Sequence, residues 1–108
     1  MSAHKHLIGT LKEVEMEDGL LREYMMAVAR LCNLTVVNEG FHKFEPHGET
    51  GFLVLSESHF SCHTWPERGE VFLDLYCCSE TFDPYECKKV IECIFDASFS
   101  NFLVLLRN

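Results

Sequence analysis

The sequence predicts an α+β fold, a two-layer sandwich in which an antiparallel sheet carries two helices packed on one face. Three observations predict it. The segments run strand, helix, strands, helix, strand; most strand segments alternate apolar and polar residues; and each helical segment has a single apolar stripe to bury. One face of a sheet covers both stripes. With 108 residues, 47% hydrophobic and 24% charged, the chain is expected to form one domain, residues 1–108, and lacks the composition of a disordered segment.

The elements follow in order. Residues 6–14 read as a strand, closed by the turn Glu15-Met-Glu-Asp-Gly19. Residues 20–34 place apolar side chains at 21, 25, 28, 31 and 32, the i, i+3/i+4, i+7 spacing of an amphipathic helix. The β-branched stretch from Leu34 extends through Phe41-His-Lys-Phe44 until Pro46 and Gly48 stop it. Residues 51–56, 59–64 and 71–78 are three short strands separated by turn residues, which together suggest an antiparallel meander. Asp83-Pro84 is an N-cap followed by proline at the first helical position, and apolar residues at 87, 90, 91, 94 and 95 carry that helix to about Phe95. Residues 99–106 form the last strand.

Seventeen acidic residues against nine basic ones give a formal charge of −8, so the protein's field repels phosphate and attracts cationic small molecules. Nucleic acid is excluded as a partner on this ground. No apolar run approaches the roughly 20 residues needed to span a bilayer, and the first residues lack the apolar stretch of a secretion signal. We therefore expect a cytoplasmic protein with no membrane partner. In that setting the six cysteines are read as thiols, with Cys32, Cys87 and Cys93 expected as small buried hydrophobes of the helices.

Reactive side chains concentrate in Ser56-Glu-Ser-His-Phe-Ser-Cys-His-Thr-Trp-Pro-Glu67. His59, Cys62 and His63 with Cys77 or Cys78 could supply zinc ligands, but the spacing matches no standard ligand pair, and no metal is expected. A hydrolase serine would want flanking glycines, which Glu57-Ser58-His59 lacks. Alternation along a half-buried strand with no chemistry is the third reading.

The stretch Leu55 to Glu67 resembles, nearly position for position, the self-cleavage segment of the prokaryotic S-adenosylmethionine decarboxylases. The resemblance covers roughly residues 6 to 90. It includes Phe41-His-Lys-Phe44 with Pro46, Gly48 and Gly51 upstream, and Asp74-Leu-Tyr-Cys-Cys78 with Asp83-Pro84 downstream.

The resemblance implies that the Ser58 hydroxyl attacks the Glu57 carbonyl. The resulting ester eliminates and hydrolyses, leaving chains 1–57 and 58–108 and a covalent pyruvoyl cofactor made from Ser58. That group would form a Schiff base with a substrate amine and accept electrons as carbon dioxide leaves, as pyridoxal phosphate does. His63 matches the family's processing histidine and Cys78, rather than Cys77, its proton donor; an imidazole and a thiol suit those tasks. Thr50 stands where a processing serine is usual. Phe44 matches an aromatic that stacks on adenine, Glu67 a carboxylate that contacts ribose, and Trp65 is assigned with them to substrate binding. His59 and Cys62 stay open between chemistry and packing.

Relatives that decarboxylate L-ornithine or L-arginine share the serine, histidine and cysteine, and this chain carries Gly9-Thr10 where Ala-Glu is usual. S-adenosylmethionine is the first choice of substrate, with those two amino acids and a non-processing homologue as alternatives. The resemblance also implies a homodimer of cleaved protomers with active sites near the interface.

Overall fold

The computed structural model describes residues 4–107. The chain runs β1 (His4–Lys12), α1 (Leu21–Leu31), β2 (Val36–Lys43), β3 (Glu49–Leu55), β4 (Ser58–Trp65), a 3-10 turn (Pro66–Arg68), β5 (Glu70–Cys77), α2 (Pro84–Phe95) and β6 (Ser98–Arg107). Among the described residues the strands make one six-stranded sheet ordered β2-β3-β4-β5-β1-β6, with every neighbouring pair antiparallel. The predicted meander is β2 to β5. β1 lies between β5 and β6, which closes the sheet around the chain's first strand.

Both helices cover one face. Alternation sends Leu7 and Leu11 of β1, Leu53 and Leu55 of β3, Phe60 and Cys62 of β4, and Leu73 and Leu75 of β5 to that side, where they are buried against Leu21, Met25 and Val28 of α1 and Cys87, Ile91 and Phe95 of α2. Asp83 caps α2 as expected, its Oδ1 accepting from the amides of Tyr85 at 2.9 Å and Glu86 at 3.3 Å.

Three expectations change. The first helix stops at Leu31, because Asn33 adopts φ +58° and the Leu34 amide turns back to the Ala29 carbonyl at 2.8 Å. The following strand accordingly begins at Val36, not Leu34. Of the helix cysteines expected buried, Cys32 is only half-buried and Cys93 is exposed. Cys93 lies two residues beyond buried Ile91, about 200° around the helix, and so points away from the stripe.

The Gly9 departure from the family pattern is a packing feature. Gly9 falls on the helix-facing side of β1, and a Cβ there would meet the Phe99 ring at 2.5 Å. Gly51 is similar: a Cβ would meet Met25 Sδ and the Phe41 ring, each at 2.6 Å.

Candidate functional site

Among the described residues, no helix covers the opposite face of the sheet. Three cross-strand rows run over it: Val54, His59, Tyr76, His6 and Leu105; then Phe52, Ser61, Asp74, Ile8 and Leu103; then Thr50, His63, Phe72, Thr10 and Asn101. Its apolar members stay in water, with Ile8 38%, Phe52 42% and Leu103 55% exposed.

The reactive stretch predicted from sequence spans the Ser56-Glu57 turn and β4, and the structure divides it between the two ends of that strand. At one end, a two-residue turn joins β3 to β4, with Leu55 paired to Ser58. Ser58 takes φ +151°, outside the region that side-chain-bearing residues ordinarily occupy. The Glu57 carbonyl accepts a hydrogen bond from the Cys78 amide at 3.0 Å. The bond between Glu57 and Ser58 is thus flanked by a strained residue and a polarised carbonyl.

The turn is held in place by residue 35. The Thr35 amide donates to Glu57 Oε1 at 3.0 Å, and the Ser56 amide donates to the Thr35 carbonyl at 2.9 Å. Partial burial works against ionisation of Glu57, but the Thr35 amide and the Ser56 hydroxyl outweigh it, leaving the carboxyl below its ordinary value. Cys77 and Cys78 are adjacent yet differently placed. Cys77 pairs with Ser58 and is buried, which raises its thiol pKa, whereas Cys78 is exposed beyond the strand end.

The other end of β4 gathers most of the remaining predicted residues. Phe44, Thr50, His63, Trp65 and Glu67 line one cavity of about 410 Å3. The Thr50 hydroxyl and His63 Nδ1 lie 3.0 Å apart in a hydrogen bond. Sequence reasoning missed two residues here, His47 and Glu49, which complete the wall. Glu49 is 7% exposed and accepts from the Gly19 amide at 2.7 Å. The turn of Phe44 into this cavity follows from its amide bonding the Gly48 carbonyl at 2.8 Å, which closes the loop between β2 and β3.

One predicted association does not form within the chain. Ser58 and His63 are five residues apart on an extended strand, about 16 Å at the usual rise, so His63 does not reach the Glu57-Ser58 bond of its own chain. The zinc set is also split: Cys62 is fully buried on the helix side, its thiol pKa raised by burial, while His59 and His63 lie on the open face. Cys62 is therefore a packing residue.

A second cluster that sequence reasoning did not assemble sits beside the β3–β4 turn. His6 Nε2 lies 2.6 Å and His59 Nε2 3.6 Å from Asp74 Oδ1, with Phe52 stacked on His59 and Tyr76 tilted against it. Among the described residues this trio is the one group of histidine, cysteine and carboxylate ligand atoms close enough to share a metal ion. The signal that could have found it is parity. Residues 6, 59, 74 and 76 share a face once β1, β4 and β5 are placed as neighbours.

Comparison with known proteins bears on the family and the fold. The protein-family model described as S-adenosylmethionine decarboxylase matches residues 5–108. An S-adenosylmethionine decarboxylase proenzyme of Symbiobacterium thermophilum is 46% identical over 74% of this chain and 64% of its own length, so the match covers just under two thirds of that relative. One from Fervidobacterium nodosum is 34% identical over 98% of this chain and 80% of its own length. Among solved structures, the adenosylmethionine decarboxylase of Aquifex aeolicus superposes with a TM-score of 0.81 at 28% identity, covering 96% of this chain and 88% of that one. With the family matched from Lys5 onward and the same sheet and helices in a solved relative, the chain belongs to the S-adenosylmethionine decarboxylase family.

Proposed function

We propose that the protein decarboxylates S-adenosylmethionine, using a pyruvoyl group that it makes from its own Ser58, and that it works as a pair of copies. The observation that carries the processing step is the Cys78 amide on the Glu57 carbonyl beside a serine at φ +151°. Attack by the Ser58 oxygen converts that carbonyl to an oxyanion, and a backbone donor already in place needs no rearrangement to stabilise it. Collapse breaks the peptide C–N bond, leaving Glu57 esterified to the serine oxygen. Elimination then releases residues 1–57 with a free carboxylate and leaves dehydroalanine at the start of residues 58–108, which adds water and loses ammonia to become the α-keto group. A pyruvoyl group at the new terminus supplies an electron sink for loss of the substrate carboxylate. The exposure of Cys78 supports its reading as the thiol that returns a proton.

The second copy follows from distance. His63 and Thr50 hydrogen bond to each other at the far end of β4 from Ser58. If two open faces pack about a two-fold axis that lies between them and runs across the strands, the His63 end of one copy meets the Ser58 end of the other. The apolar rows of that face become a buried interface, and His63 and Thr50 assist cleavage in the partner. Phe44, Trp65 and Glu67 then offer aromatic and acidic groups to a cationic nucleoside-bearing substrate. We place this activity in the cytoplasm, in keeping with six free thiols. No described helix is long and apolar enough to cross a membrane.

Denaturing mass spectrometry of the purified protein tests the processing step. Two fragments divided between 57 and 58 are expected, and one intact chain that still releases carbon dioxide would overturn it. Carbon dioxide release from carboxyl-labelled S-adenosylmethionine, ornithine and arginine tests the substrate, with turnover of the amino acids alone refuting our choice.

A further inference from the structure

On the helix side of the molecule, away from the open face, Cys32 caps the C-terminus of α1 and Cys87 lies in the first turns of α2. Their sulfurs are 3.2 Å apart in a hydrogen bond. A disulfide requires about 2 Å, so the two sulfurs need to approach by about 1 Å. Both line a cavity of about 300 Å3 with Leu34, Phe82, Asp83 and Val90. Cys32 is half-buried at this cavity, whereas Cys87 is 1% exposed.

We propose that Cys32 and Cys87 form a thiol–disulfide exchange site that accepts a small-molecule disulfide and closes reversibly into a Cys32–Cys87 bond. The different exposures set the order of events. The sulfur of Cys32, as thiolate, bonds to one sulfur of the small disulfide, whose S–S bond breaks and releases one half as a thiolate. The sulfur of Cys87 then bonds to Cys32 Sγ, expelling the other half, which leaves with the Cys87 proton as a thiol. The first released half takes up the proton that Cys32 gave to water. Two protein thiols are oxidised and one small disulfide is reduced to two thiols.

The shared hydrogen bond suits these roles. Between the two thiols Cys32 is the donor. Once Cys32 loses its proton the bond reverses and the Cys87 thiol donates to the thiolate, which holds the Cys32 pKa below its ordinary value, while the same bond and burial push Cys87 up. Once Cys32 carries half of the small disulfide it no longer holds charge on that hydrogen bond, and Cys87 is released to act as the second nucleophile.

The sequence gives the pair a further consequence, which rests on the cleavage reading. Of the six cysteines only Cys32 precedes Ser58; the others are at 62, 77, 78, 87 and 93. In cleaved protein a Cys32–Cys87 bond joins two separate chains, and any covalent link between them through cysteine must use Cys32.

The test is to titrate the full protein with oxidised glutathione. Alkylation, peptide mapping and paired non-reducing and reducing denaturing gels then read the product. We expect a 32–87 linked peptide, with no glutathione retained on Cys32, at lower oxidant than any adduct on exposed Cys78 or Cys93. Cleaved protein should run as one full-length band that dithiothreitol resolves into two. The melting temperature should rise by on the order of 10 °C on oxidation and fall back on reduction. Cys87→Ser should stop at a single glutathione on Cys32. A lasting glutathione adduct on Cys32 in the unaltered protein, or Cys32 linked to another cysteine, would overturn the proposal. The peptide map is read equally in Ser58→Ala, so absence of cleavage and absence of the disulfide give different results.

Discussion

Adjacent residues beside the β3–β4 turn have opposite fates, and the backbone explains it. Cys77 ends the alternation of β5 and is buried, whereas Cys78 begins the loop, keeps an exposed thiol and turns its amide onto Glu57. Side chain and amide of Cys78 can therefore be separated by mutation. Cys78→Ala keeps the amide and should be cleaved normally while its kcat falls by a factor of about 100 or more. Cys78→Pro removes the donor and should slow cleavage by about 100-fold, read by mass spectrometry against time with circular dichroism as the check on folding. At Gly51 the effect is on stability. A methyl group directed into Met25 and Phe41 should cost about 1–3 kcal/mol in Gly51→Ala, measured by urea denaturation.

At the scale of elements, α2 and the β3–β4 turn are each set by one acidic side chain. Asp83 satisfies two amides at the start of α2, directly after the loop that carries Cys78. Asp83→Ala should lower stability by about 1 kcal/mol, seen as a lower Tm. Glu57 ties the β3–β4 turn to Thr35, and its folded pKa lies below the ordinary value of 4.5. A depressed carboxyl pKa means that the unfolded chain binds the proton more readily. The stabilisation is therefore complete above about 4.5 and is lost as pH falls through the lower folded value. Denaturation midpoints measured between pH 6 and pH 3 should decline less steeply for Glu57→Gln than for the parent chain.

At the scale of the whole molecule, the separation of His63 from Ser58 gives a prediction that a self-contained site does not share. Ser58→Ala retains His63, and His63→Ala retains Ser58. Produced alone, neither should be cleaved at a useful rate. Produced together, mixed pairs contain one complete composite site, and about half of the His63→Ala chains should be cleaved if pairing is random. Complementation failure in mixed pairs verified by native mass spectrometry would require His63 to act within its own chain or not at all.

Local chemistry was legible in the sequence because it is written in short range. Alternation at period two and stripes at period 3.6 identified the strands and helices, and the Asp83-Pro84 pair marked the start of α2. The run from Leu55 to Glu67 suggested the candidate residues because the stretch that resembles the family is contiguous in sequence. What the sequence by itself determined was therefore the α+β class, both helices and the family. Tertiary structure alone decided which residues meet. β1 inserts between β5 and β6, bringing His6 to Asp74 and His59 across many intervening residues, and chain reversal sets Cys32 against Cys87. Strand extension likewise separates Ser58 from His63, although only four residues lie between them. Neighbourhood in a sheet depends on strand order and register, which the packing of the whole core selects and no local pattern encodes.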